Sequence, residues 1–213
     1  MTSAKTILIT GVSSGFGRAL AQEALATGHR VIGTVRSREA QHDFEALRAV
    51  AMIKAMLPGM RQRRHGHIIN ITSMGSFITL PGISYYCGSK FALEGISETL
   101  SKELAPFNIH VTAVAPGSFR TDWAGRSMVR SARSIPDYDA LFDPIRQARE
   151  EKSGKQLGDP VKAAHAMLAM IESQNPPTHL LLGSDALSLV RQKLEALGKE
   201  IEQWEEITRS TDG

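Results

Sequence analysis

The chain has 213 residues, 42% apolar and 22% charged, the profile of an ordinary globule long enough to bury about 70% of its unfolded surface. That balance excludes wholesale disorder, a collagen-like repeat and a membrane bundle, and no apolar run approaches the ~20 residues that span a bilayer. The net charge of +3 argues only weakly for a polyanionic partner. The densest basic stretch, Arg61, Arg63, Arg64, His65 and His67, has no interleaved aromatics. It reads as a solvated turn, with an anion-binding surface as the alternative, and neither a nucleic acid nor a membrane is expected as partner. The opening MTSAKTILITG lacks the long apolar segment and cleavage site of a secretory signal, so a cytoplasmic location is expected. A single cysteine, Cys87, rules out an intrachain disulfide and a multi-cysteine zinc or iron-sulfur centre, and no metal site is expected.

Strand and helix patterns alternate along the chain. Lys5 to Thr10 is a short apolar run ending at Gly11. Gly17 to Ala26 has apolar-periodic helical sequence stopped by Thr27 and Gly28, and His29 to Val35 reads as a second buried strand. Strand, glycine turn, helix, strand is the opening of a parallel nucleotide-binding sheet. Gly66 to Thr72 is a further strand, Tyr85 to Leu104 a long amphipathic helix, and Ile109 to Ala115 a strand closed by Pro116 and Gly117. Asp159 and Pro160 open a helix through Ile171, with Asp as N-cap and Pro in the first position. Leu180 to Leu182 is a last short strand and Ala186 to Glu206 a last helix. Arg120 to Gly158, rich in Ser, Arg and Asp with only short helical patches, is a candidate lid. Nothing divides residues 1–213 into separate domains.

One stretch does not fit. A doubly wound sheet needs at least two more strands before Gly66, and Ser37 to Arg64 supplies only helix-like sequence.

Thr10 to Gly17 (TGVSSGFG) lies at a strand-to-helix turn. Glycines there permit positive φ and let backbone N–H groups approach a pyrophosphate at the positive end of the helix. The plain alternative is a tight structural turn. Gly11 to Gly15 also spells G-x-S-x-G, a nucleophile elbow with Ser13 as nucleophile, but an elbow of that kind follows several strands, and His110, His165 and His179 have no recognisable triad setting. Tyr86 and Lys90 are spaced i, i+4 and share a helix face. At ~4 Å and an effective dielectric of ~20, an ammonium would favour the phenolate by about 4 kcal/mol, at most about three pH units below a reference near 10. Such a phenol can exchange a proton near neutral pH. Ser73 ends a strand where ligands of open parallel sheets bind; alone it would read as a cap.

The glycine turn, Ser73, Tyr86-Cys87-Gly88-Ser89-Lys90 and Pro116-Gly117-Ser118-Phe119-Arg120-Thr121, in that order and spacing, resemble the short-chain dehydrogenase/reductase family. The resemblance covers most of the chain. It implies an α/β fold, a single-domain Rossmann fold with a doubly wound parallel sheet flanked by helices. It also implies hydride transfer between a nicotinamide nucleotide and a small-molecule ketone or secondary alcohol. Tyr86 would be the general acid or base, Lys90 would lower its pKa and hold the nicotinamide ribose, and Ser73 would hydrogen-bond the substrate oxygen. Gly11, Ser13, Ser14, Gly15, Phe16 and Gly17 match the family's pyrophosphate turn; Pro116, Gly117, Phe119 and Thr121 match its nicotinamide-side loop. Cys87 has no base beside it, so packing is its expected role.

An NAD enzyme usually sets a carboxylate on the adenosine ribose at the end of the second strand, whereas a 2′-phosphate needs a cation. That position is Val35, followed by Arg36 and with Arg38 near, which favours NADP over NAD; Ser14, where many NADP-dependent members are basic, tempers the choice. Ile78, Leu80, Ile83, Phe119, Trp123 and Met128 could line a pocket for a steroid-like or other apolar carbonyl, or belong to the core. A homodimer or homotetramer is implied by the family. Ala92, Leu93, Ile96, Leu100 and Leu104 supply apolar positions on the long helix, most of which must pack on the chain's own sheet.

The sequence also departs from the family. The Asn-Asn-Ala-Gly-type strand beneath the adenine, the preceding Asp-containing strand end and the Asn that completes a proton-relay tetrad have no match, and counting back from Ser73 to the tetrad position reaches Ala46. A block is absent near Leu47 to Ala51. Removing central parallel strands would strip both neighbours of ladder partners and expose the core. The expectation is therefore a mobile segment passed over by the numbering rather than a true deletion. Were the deletion genuine, a nucleotide-binding sensor or scaffold without turnover would become the alternative function.

Overall fold

The computed structural model describes residues 4–34, 45–121 and 135–213, with side chains of the second stretch described from residue 49. Strands β1 (Thr6–Thr10) and β2 (Arg30–Thr34) pair in parallel, Thr6 opposite Arg30, and helix α1 (Gly15–Ala26) crosses between them. α1 starts two residues before the expected Gly17, because Gly15 itself turns the chain with φ +54. It buries Ala19, Leu20 and Ala24 on one face. It stops at Gly28, whose φ of +84 lets Gly28 N–H and His29 N–H return to the Leu25 and Ala24 carbonyls at 3.1 and 2.9 Å, a Schellman ending.

Helix α2 (Glu45–Arg63) leads to β3 (Gly66–Ile71). Ile53, Leu57 and Met60 of α2 pack with Ile68, Leu104 and Ile109. The basic stretch at its end is exposed from Arg61 to His65, as a solvated turn would be. Arg64, at φ +53, donates from Nη2 to the Pro106 carbonyl at 2.7 Å and lies over the Phe107 ring. Helix α3 (Ser84–Leu104) and β4 (Ile109–Pro116) follow. Helices α4 (Asp139–Lys152) and α5 (Pro160–Glu172), strand β5 (His179–Leu182) and helices α6 (Ser184–Gln203) and α7 (Glu205–Arg209) complete the chain. α4 is a 14-residue helix where only short helical patches are expected. Asp159 caps α5 as its sequence predicts, its Oδ1 accepting from Val161 N–H at 2.8 Å.

The fold is α/β, with parallel strands flanked by helices, but its strands form two sheets, β1-β2 and β3-β4-β5. The expected mobile segment is a correction: the sequence is continuous over its 213 residues and α2 runs unbroken across Leu47 to Ala51, and among the described residues no further strand lies between β2 and β3. Among the described residues no strand pairs with β1 opposite β2, or with β3 opposite β4. The halves are joined instead by side chains. Ile9 of β1 and Leu20 and Ala24 of α1 share one core with Val114 of β4 and Ala164, Met167 and Leu168 of α5. Lys5 Nζ adds a bond to the Ile171 carbonyl at 2.8 Å.

Candidate active site

The carboxyl ends of β1, β3 and β4 carry the three candidate loops, and the first is the glycine turn. Gly11 and Gly15 both have positive φ, and a Cβ on Gly17 would overlap the Gly11 carbonyl oxygen. Gly11 and Val12 N–H both donate to the Thr34 carbonyl, at 2.8 and 3.0 Å, so the turn is fixed to the end of β2. Ser14 makes no side-chain cap and the first turn of α1 holds no acidic residue, which leaves its N–H groups and positive dipole end for an anion. A dinucleotide's pyrophosphate fits this cradle. Ser13 is exposed, and the histidines that could serve it as a hydrolase base are engaged elsewhere. His165 meets Glu23 at 2.7 Å, His179 meets Glu94, and His110 stacks edge-on against His67. The nucleophile-elbow reading loses its base.

The loop after β4 leans on the first. Phe119 is buried and packs edge-on against Phe16 at 5.1 Å between centroids, and Thr121 Cβ lies 3.7 Å from where a Cβ on Gly15 would sit. Pro116 pairs with Leu182, and Gly117 N–H donates to the Leu182 carbonyl at 2.8 Å. Gly117 admits no side chain because the Asp185 carboxylate occupies that space, where it accepts from Ser118 N–H at 2.8 Å.

Ser73, Tyr86 and Lys90 converge beyond β3. Ser73 caps a short 3-10 turn, Met74–Ser76, accepting from Gly75 N–H at 3.0 Å. That bond uses a lone pair and leaves its own proton to donate. A Cβ on Gly75 would lie 3.3 Å from Tyr86 Cε1 and 3.4 Å from Ser73 Oγ, so hydroxyl and ring border the same small space. Lys90 is buried at 9% exposure. Its Nζ lies 5.7 Å from the Tyr86 ring centroid and donates to the Ile71 carbonyl at 3.1 Å. Cys87 is buried, as its packing role requires.

Other sequence candidates divide. Ile78 and Phe119 belong to the buried core, while Leu80 and Ile83 are half-buried. Arg36, Arg38, Trp123 and Met128 lie outside the described residues, and Ala46 falls in α2. Arg149 of α4 donates to the Pro81 carbonyl at 2.9 Å, and Phe142 packs 3.4 Å from the Cβ site of Gly82. α4 thus lies over the loop that precedes Tyr86. The base of the 120–158 segment is held by Arg120, which bonds the Gln156 carbonyl at 2.9 Å and Asp159 Oδ2 at 2.8 Å.

Residues 43–130 match the family described as short chain dehydrogenase. The chain is 30% identical to a 3-ketodihydrosphingosine reductase of Bacteroides thetaiotaomicron, covering 83% of this chain and 87% of that protein. The chain belongs to the short-chain dehydrogenase family. It is 36% identical over 169 residues to an oxidoreductase, BOA17, of Botryotinia fuckeliana, covering 79% of this chain but only 61% of that relative. The alignment to the Bacteroides protein runs over 237 positions, more than the 213 residues present here, so the relative carries residues without counterpart in this short-chain dehydrogenase. A crystal structure of a short-chain dehydrogenase from Streptomyces avermitilis superposes with a TM-score of 0.84 at 32% identity, over 99% of this chain and 100% of that one. More distant dehydrogenases share the fold at TM-scores of 0.63 and 0.67. One, from Burkholderia cenocepacia, is in complex with NADP at 20% identity over 94% of this chain and 96% of that one; the other, from Burkholderia phymatum, is in complex with NAD at 18% over 93% and 95%. Among the described residues no helix is long and apolar enough to cross a membrane.

Two contributors escape the sequence reading. Asp185 sits in the first turn of α6, ahead of the expected helix start at Ala186. Glu94 follows Tyr86 and Lys90 by one further turn each, a 4-residue spacing that was readable. It is 6% exposed and meets His179 Nδ1 at 2.7 Å, and Ser76 Oγ lies 2.7 Å from its Oε2 and 2.6 Å from the Ser73 carbonyl, with one proton to share between those two acceptors.

Proposed function

We propose that this short-chain dehydrogenase is an NADP-dependent oxidoreductase of a ketone or secondary alcohol, with residues 1–213 acting as one unit and 120–158 closing over the substrate. The observation that carries it is that Ser73 and Tyr86 border one space at Gly75 while Lys90 Nζ lies 5.7 Å from the Tyr86 ring centroid. The glycine turn and the first turn of α1 would hold the pyrophosphate, and Pro116, Gly117, Phe119 and Thr121 would border the nicotinamide, which supplies or accepts the hydride when bound. In reduction the Ser73 hydroxyl donates to the substrate oxygen as negative charge builds there, and the Tyr86 hydroxyl delivers its proton to that oxygen. The buried Lys90 ammonium favours the phenolate that remains. In oxidation the same phenolate takes the alcohol proton. Arg36 and the absence of a carboxylate beside it support NADP over NAD. The Bacteroides relative, named as a reductase of a keto compound, supports a carbonyl substrate.

Phe91, Ala92, Gly95, Ile96, Thr99, Leu100 and Glu103 line an open, mainly apolar groove along α3, which supports a homodimer or homotetramer. Leu93 and Leu104 belong to the chain's own core.

The split sheet favours a second reading, a nucleotide-binding protein without turnover, since the strand that underlies the adenine in the family is replaced here by a continuous α2. A panel of ketones with NADPH or NADH, and of secondary alcohols with NADP⁺ or NAD⁺, followed at the nicotinamide absorbance, separates the two. Turnover supports the oxidoreductase; tight nucleotide binding with no turnover across the panel supports the sensor.

A further inference from the structure

α6 begins inside the protein and ends outside it. Its first turns bury Ala186 and Val190, at 0% and 2% exposure. Every residue from Arg191 to Gln203 except Gly198 is exposed, and so is every residue of α7. Yet the apolar pattern does not stop where burial stops. Leu187, Val190, Leu194, Leu197, Ile201 and Trp204 recur at alternating steps of three and four, the 3.5-residue repeat of a coiled-coil seam. Leu194, Ile201 and Trp204 are 55%, 61% and 54% exposed. From Leu194 to Trp204 the stripe is about 15 Å long, and among the described residues nothing covers it.

We propose that this projecting stripe pairs with the same stripe of a second copy of the chain, with the two helices antiparallel. The charges flanking the seam decide both the partner and its direction. Taking Leu194 and Ile201 as a positions and Leu197 and Trp204 as d positions, Arg191 and Gly198 occupy e, Lys193 and Glu200 occupy g, and Glu205, the first residue of α7 and already bonded to Arg209 at 2.7 Å, follows at the next e. In a parallel pair, g faces the partner's following e, setting Glu200 against Glu205 twice over, carboxylate on carboxylate. In an antiparallel pair, e faces e and g faces g, which sets Glu200 against Glu200 once at the centre. Arg191 then meets Glu205 of the second copy, twice by symmetry, and Gly198 meets Gly198 at the midpoint. A Cβ on Gly198 would touch nothing within 4 Å, so the centre of the crossing is open and the backbones can approach closely. Leu197 and Ile201 of each copy then pack on one another in the middle layers. A membrane surface is the other occupant such a stripe could take. From Arg191 to Asp212 carboxylates outnumber cations six to four, which opposes an anionic bilayer. The surface is separate from the groove on α3, so pairing there leaves the α6 contact intact.

The test uses the full chain, whose native thiol, Cys87, is buried. Gly198→Cys is oxidised mildly and the disulfide-linked dimer quantified on a non-reducing gel, with Lys199→Cys, on the outer face, as control. The antiparallel pair predicts a linked dimer for Gly198→Cys at least 10-fold faster than for the control. It also predicts that adding Ile201→Asp removes the difference, while circular dichroism and melting temperature stay those of the parent. Sedimentation of the wild type should show an assembly whose mass falls by half with Ile201→Asp. Equal linking at both positions, or a mass unaffected by Ile201→Asp, overturns the proposal. So does co-sedimentation of the wild type with phosphatidylcholine vesicles that Ile201→Asp abolishes without altering the mass.

Discussion

His179 and Glu94 meet at 2.7 Å, Nδ1 to Oε1, joining the first residue of β5 to the face of α3 that carries Tyr86 and Lys90. The Ser76 hydroxyl lies between the same carboxylate and the carbonyl of Ser73, and its single proton is shared between them. Glu94 is buried at 6% exposure while His179 is exposed, so solvent screens the pair and removing the carboxylate costs about 1–2 kcal/mol, mainly in the hydrogen bonds it accepts. Glu94→Ala should lower the unfolding free energy by roughly that amount in urea titrations, and Glu94→Gln by less, because the amide oxygen still accepts from Ser76. If Ser73 is held through this chain of bonds, Glu94→Gln should also lower kcat more than it raises KM.

His67 gives the protein an acid sensitivity. Burial, then the neighbouring His110 and Lys5, lower its pKa from 6.5 to about 4. The Thr112 hydroxyl donates its one proton to the Pro177 carbonyl at 2.6 Å, so His67 Nε2, 2.9 Å from that oxygen, carries the donated hydrogen. Between pH about 4 and 6.5 the unfolded chain binds a proton that the folded chain refuses, so stability rises with pH across this window and is lost as pH falls through it. Allowing for partial exposure, the change is on the order of 1–2 kcal/mol. Unfolding free energies from urea titrations at pH 7 and pH 5 should differ for the wild type by that much more than for His67→Gln.

Gly17→Ala places a methyl group on the Gly11 carbonyl oxygen. The turn must open to admit it, so NADPH affinity, read by nicotinamide fluorescence, should fall at least ~10-fold, about 1.4 kcal/mol. Gly198→Ala, where a Cβ meets nothing, should leave affinity unchanged and serve as the control.

The split sheet predicts a pattern of hydrogen exchange. β4 pairs with β3 over Ile109–Val114 and with β5 over Ala113–Pro116, so from Ala113 to Ala115 successive amides should all be protected. Among the described residues β1 and β3 each pair on one side, and alternate amides along them should exchange at least ~10-fold faster. Uniform protection along β1 would mean that another strand pairs there. Intact-mass measurement gives the companion check, 23.2 kDa for the continuous chain.

The sequence shows most of this fold because its signals are local. Val111, Val114 and Ile109 mark β4, Asp159 and Pro160 mark the start of α5, and Tyr86 with Lys90 mark one face of α3. The missing strands were legible as an absence, but not the solution to it. Parallel strands were expected to require ladder partners, whereas here Met167 and Leu168 of α5, packed against α1, hold the two half-sheets in one core. That depends on contacts between residues about 150 positions apart in sequence, which no local pattern encodes. Glu94 gives no local signal for a related reason: one partner, His179, lies 85 positions away in sequence, and only the fold brings it to α3.

The account rests on a proton passing between Tyr86 and the substrate oxygen, and single-turnover reduction of a ketone identified from the substrate panel tests it directly. Tyr86→Phe, which removes only the hydroxyl, should bind NADPH with wild-type affinity and reduce the ketone about 10²- to 10⁴-fold more slowly. Reduction at the wild-type rate by Tyr86→Phe would contradict it.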